Sequence, residues 1–158
     1  MKENQIKAIF ITLFTPIFSG IGILAVPVIL LVLSNIIDYS TGLVAAKYRS
    51  ERINSYKSFR GIAKKVCMWL LVCVGVLVDA FIINYGGRLG LTVPSLFIIS
   101  CLVASWLFVN ELISILENMV DIGVTMPPFL IPMVKNIKTK VEANAEAEIA
   151  GITEKKEE

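Results

Sequence analysis

The 158-residue chain has no histidine, which removes imidazole acid–base catalysis and histidine metal ligation. Charge is scarce: Asp, Glu, Lys and Arg make up 18% of the residues, and residues 8–37 carry none. An average soluble domain carries about 25%. The three cysteines, Cys67, Cys73 and Cys101, sit inside apolar runs with no Cys-x-x-Cys pair, so neither a zinc site nor a disulfide framework is expected. There is no nucleophile–base pair, Walker loop or glycine-rich phosphate cradle after a strand, so the reading is a non-enzyme that needs no cofactor.

What remains is apolar. Hydrophobic residues form 56% of the chain, and mean hydropathy is +0.75. A membrane span needs about 20 mostly apolar residues. The pattern predicts an all-α integral membrane protein with three transmembrane helices, an N-terminal amphipathic helix and a charged cytoplasmic tail. The spans are expected at about 23–46, 66–84 and 93–117, with Pro27 and Pro94 in opening turns and Gly123 and Pro127-Pro128 as the final stop. Before them, Ile6, Ile9, Phe10, Leu13, Phe14, Ile17 and Phe18 repeat at the spacing of one helix face. Residues 1–22 thus hold either an interfacial amphipathic helix or a short fourth span. The start of the chain has no evident cleavable leader and is expected to be retained. Residues 23–134 form the membrane domain, and 135–158 a solvated, partly helical tail with almost no apolar face.

The charges set the orientation. Residues 47–65 hold Lys47, Arg49, Arg52, Lys57, Arg60, Lys64 and Lys65 against Glu51, whereas the 85–92 turn has only Arg88. Short basic loops stay in the cytoplasm, which places 47–65 and the C-terminus inside. Because these charges flank two spans, they indicate orientation and anionic lipid headgroups rather than nucleic acid.

The residues that stand out are polar groups inside apolar helices: Asp38, Asp79, Glu111, Glu117 and Asn118. An acid at a span's centre costs ~2.5–3.5 kcal/mol on the insertion scale, so each should face protein or water. These five are the candidates for a pore or gate; hydrogen bonding to a neighbouring helix is the plainer role. Asp38 lies nine residues before Lys47, ~13 Å along a helix, and Glu111 falls at a similar depth, so the two acids are expected to meet. Asp79 is nearer the outer turn, within reach of Arg88. In the third span, Ser100, Ala104, Glu111, Ser114, Asn118 and Asp121 share one face, opposite Leu102, Val109 and Ile113. In the first, Ser34, Asp38, Gly42 and Ala46 form a ridge of small residues four apart, suited to close helix packing within or between subunits. Gly75 and Ala104 are candidates for the same role in the other spans.

Several of these residues fall into a recognisable order. Asp38-Tyr-Ser-Thr-Gly42-Leu-Val-Ala45-Ala46 resembles the D-x-x-T/S-G-x-x-A-A end of the first span in the toxin-secretion and phage-lysis holins. Asn54-Ser55, Phe59-Arg60-Gly61-Ile62 and Lys64-Lys65 are similar to that family's basic loop, and Asp79 to the acid of its second span. Asn110-Glu111, Ile115-Leu116-Glu117-Asn118, Gly123-Val124 and Pro127 resemble its ending. The likeness spans roughly residues 20–132; Leu112 departs from it, standing where relatives often have glycine. The resemblance implies a protein of the bacterial cytoplasmic membrane that forms homo-oligomers in the bilayer and permeabilises it, releasing an endolysin or a toxin. A small transporter or channel and a membrane-anchoring subunit without a pore are the alternatives.

Overall fold

The structure, a computed structural model, describes residues 22–50, 55–91 and 97–153. The helix expected over 6–19, Arg52 and Pro94 lie outside the described residues. A single 3-10 turn, Gly22–Leu24, leads into α1, Ala25–Tyr48; α2 follows at Ser55–Leu89, α3 at Ile98–Ile122 and α4 at Leu130–Thr153. The described residues contain no strand. Helices spanning Gly22–Tyr48, Phe59–Leu89 and Ile98–Ile122 are long and apolar enough to cross a membrane.

The helices keep their polar backbone groups and hydroxyls satisfied locally, as an apolar setting demands. Pro27 falls in the first turn of α1, where its missing donor breaks no helical bond. Ser34, Ser40 and Thr41 donate to the carbonyls of Leu31, Ile36 and Ile37 at 3.0, 2.8 and 2.9 Å. At the end of α3, Gly123 takes a φ of +95°. Val124 N–H then reaches Met119 O and Gly123 N–H reaches Val120 O, the paired bonds of a Schellman stop.

Helix α3 is the hub: α1, α2 and α4 all pack on it, whereas the backbones of α1 and α2 stay largely apart. The core joins Leu24 and Leu31 to Met68 and Val72 of α2 and Ala104 and Leu107 of α3. Leu33, Ile36, Leu70, Leu77 and Phe81 point outward and remain exposed, as lipid-facing side chains do.

Three features differ from the sequence reading. The segment 55–65 is not loop but the first three turns of α2, so the second helix begins eleven residues before the expected Val66. Its Ala, Lys and Arg residues favour helix; Arg60 and Lys64 are exposed on it, while Lys65 turns inward. Val109, assigned to the face away from the polar stripe, is buried because α3 is covered on several sides. The boundary drawn at 134/135 falls inside α4, which packs along α3. A narrow stripe of Val134, Lys138, Val141, Ala145 and Ile152 supports that packing; Val134 and Ile152 are buried.

Candidate functional site: a charged cluster joining three spans

On α2 the residues at Lys65, Met68, Val72, Gly75, Asp79 and Ile82 recur at spacings of three and four and form its inward stripe. Lys65 therefore points into the bundle rather than toward headgroups. Its Nζ donates to Asp38 Oδ2 at 2.8 Å, to Asn35 Oδ1 at 3.1 Å and to Glu111 Oε2. Only 16% of the Lys65 and Asp38 side chains and 4% of the Glu111 side chain meet solvent, so this is a buried ion cluster. Asn118 Nδ2 donates to Asp38 Oδ1 at 3.1 Å and to Thr41 Oγ1 at 3.3 Å. Farther toward the same end, Arg49, just past the end of α1, pairs with Asp121 of α3.

Asp38 and Glu111 thus meet at one level, with a lysine between them, so attraction replaces the mutual repulsion of two bare acids. If all three groups are ionised the trio carries one net negative charge, and the carboxamides of Asn35 and Asn118 occupy further hydrogen-bonding positions around it.

The acid on α2 has a different solution. Asp79 is 1% exposed. Its carboxylate accepts from Ile99 N–H at 3.0 Å, Ser100 N–H at 2.8 Å and Ser100 Oγ–H at 2.7 Å. It caps the N-terminus of α3 from a neighbouring helix, where the helix dipole favours a negative charge. Phe97, the residue before α3, has a left-handed backbone and no side-chain cap of its own, so Asp79 fills that role. Arg88, the partner suggested by sequence, lies in the exposed last turn of α2.

The small residues lie at these same contacts. A Cβ on Gly75 would fall 2.9 Å from Ser100 Cα, so α2 and α3 touch backbone to backbone beside Asp79. A Cβ on Gly42 would lie 3.5 Å from Asn118 Nδ2. Ser34 and Ala104 are buried, and Ala46 is half-buried next to buried Ala45. Glu117 is exposed and, with Lys64 and Lys135, lines a cavity of about 560 Å³. Lys47, Arg60 and Lys64 are exposed, and Lys57 lies in the first turn of α2.

Sequence reasoning placed the acids but assigned Lys65 to topology alone, met Thr41 only as part of the first-span motif and passed over Asn35. The signal was present: Lys65 is in phase with Met68, Val72 and Asp79, so any helix beginning before it must carry it inward.

The sequence has relatives among known proteins. The family model of the bacteriophage holin family matches residues 16–139. The chain belongs to that family. It is a multi-pass membrane protein. It is similar to an uncharacterized protein of Clostridium perfringens strain 13, 32% identical over 129 residues, which cover 82% of this chain and 85% of the relative. An uncharacterized 14.9 kDa protein in the nagH 3′ region of Clostridium perfringens is also 32% identical, over 82% of this chain and 87% of its own length. A third uncharacterized relative, from Clostridium acetobutylicum, is 30% identical over 72% of this chain and 82% of its own. No solved structure matches the chain.

Proposed function

We propose that this holin-family chain collects in the bacterial cytoplasmic membrane, assembles with copies of itself and permeabilises the membrane, letting an endolysin or a toxin escape. The observation that carries the reading is the Lys65–Asp38–Glu111 cluster, which links α1, α2 and α3 inside the apolar bundle. A chain that only anchored something would gain little from it, because a buried ion pair is often no better for stability than apolar packing of the same volume. The cluster does have two good states. With water excluded, Lys65 sits between the two carboxylates and offsets all but one of the trio's charges; with water present, each can be hydrated. Membrane insertion favours the first and a water-filled lesion the second. The polar face of α3 supplies the wall in both.

Expression in bacteria tests this reading. Growth should continue normally, then stop abruptly with loss of membrane potential. Steady growth at full membrane accumulation would rule the reading out. Glu111→Gln keeps size and hydrogen bonding but leaves Lys65 balanced by Asp38 alone. The closed state should gain relative to the open one, so lysis should come late or not at all at equal protein level. Wild-type timing in this variant would remove the Glu111 charge from the mechanism.

In this reading the 47–65 segment and the C-terminus are cytoplasmic. On a background with Cys67, Cys73 and Cys101 replaced by Ser, Gly87→Cys should react with an impermeant thiol reagent applied to spheroplasts. Ser55→Cys should react only after the membrane is opened. Labelling at residue 55 from outside would invert the orientation.

A further inference from the structure

Helix α4 lies along α3 for most of its length. Trp106 Nε1–H donates to Glu142 Oε1 at 2.8 Å, and Lys138 Nζ sits 5.2 Å from the Trp106 ring centroid. Buried Val134 and Ile152 fasten α4 near its two ends. Yet α3 has the length and composition of a membrane span, while α4 carries Lys135, Lys138, Lys140, Glu142, Glu146 and Glu148. Charges at hydrocarbon depth are opposed by lipid, whatever the apolar stripe gains. Helix α4 can therefore hold this seat only where water reaches its outer face, and it leaves when lipid surrounds α3.

Its departure uncovers Trp106. That residue is eight positions into α3, ~12 Å along the axis, and so within the hydrocarbon. Lipid tails offer its indole N–H no acceptor, whereas a neighbouring helix can. The seat is also poorly filled: a void of about 290 Å³ remains between Leu71, Leu102, Val103 and Trp106 on one side and Val141 and Ile149 on the other. The close-approach glycines are already used inside the subunit, Gly42 against Asn118 and Gly75 against Ser100. We infer that the α3 face around Leu102, Val103 and Trp106 is the interface for a second copy of this chain, and that α4 is its intramolecular plug. The inference rests on assembly in the membrane as the mode of action.

The test uses the full chain with its three cysteines replaced by Ser. Val103→Cys and Ala145→Cys, which line the same void, are introduced together so that oxidation ties α4 to α3. After reconstitution into vesicles, the oxidised protein should stay monomeric by crosslinking. Its dye release should fall roughly tenfold against the reduced protein, equivalent to about 1.4 kcal/mol of association free energy, and reductant should restore it. Val103→Cys alone should form disulfide-linked dimers on oxidation in vesicles. A tied protein that still assembles and releases dye, or a Val103→Cys protein that releases dye without forming dimers, would overturn the interface and leave the permeabilising role intact. If the cysteine-free chain and the wild type both fail to release dye, the underlying reading falls instead.

Discussion

Replacing Lys65 by Met should destabilise the bundle by about 3–5 kcal/mol, the usual cost of removing one partner from a buried ion pair. The reason lies in what is left behind. Asp38 and Glu111 would remain in a nearly dry site with no cation between them and the Asn118 carboxamide on Asp38 alone. The loss should appear as a lower unfolding temperature in detergent and faster proteolysis, and in cells as early membrane leakage or poor accumulation. The triple variant Lys65→Met, Asp38→Asn, Glu111→Gln removes every charge of the trio and should recover most of the stability. If Lys65→Met melts like the wild type, the ion cluster does not hold the helices together. If the triple variant is no better than the single, lost packing of the lysine stem is responsible rather than charge.

The second large effect is expected at Gly75. Its missing Cβ leaves the backbone of Ser100 only 2.9 Å from where that atom would sit, and backbone cannot swing aside as a side-chain tip can. Gly75→Leu should force α2 and α3 apart and pull Asp79 from the three donors it caps. A cost of about 3 kcal/mol is expected, the upper end for overpacking. Gly61→Ala, with nothing within 4 Å of its added Cβ, should be neutral or up to ~1 kcal/mol more stable through helix propensity. Unfolding temperatures of the two variants in one detergent decide the matter; equal values would mean that the α2–α3 crossing is looser than its geometry.

Much of this was legible in the chain. Apolar runs of span length gave three membrane helices, and Gly123 with the following prolines marked the end of the third. The rise per residue was enough to put Asp38 and Glu111 at one depth. Lys65 was hidden because a basic residue beside an apolar run serves equally well as a topology signal; only its helical phase distinguishes the two, and that requires knowing that α2 starts at Ser55. The partner of Asp79 was hidden for another reason. Main-chain N–H groups carry no residue identity, so a carboxylate capping a distant helix leaves no trace in the pattern, and Arg88 stood out only as the nearest charge. The tail misled through composition: charges dominate residues 135–158 and mask a stripe one residue wide.

The length of α2 bears on how the protein meets bilayers of different thickness. At 35 residues it is ~52 Å long, against a hydrocarbon core of about 30 Å, whereas α1 and α3, with 24 and 25 residues, come far closer to matching. Left alone, α2 would be free to slide or tilt until its apolar stretch found its own level. Lys65 removes that freedom: bound to α1 and α3 at once, it pegs α2 at a single depth. Hydrophobic mismatch that bends or tilts α1 and α3 is then delivered to Lys65 and, between α2 and α3, to Asp79 as well, making these contacts the points where membrane thickness bears directly on the hold between the helices.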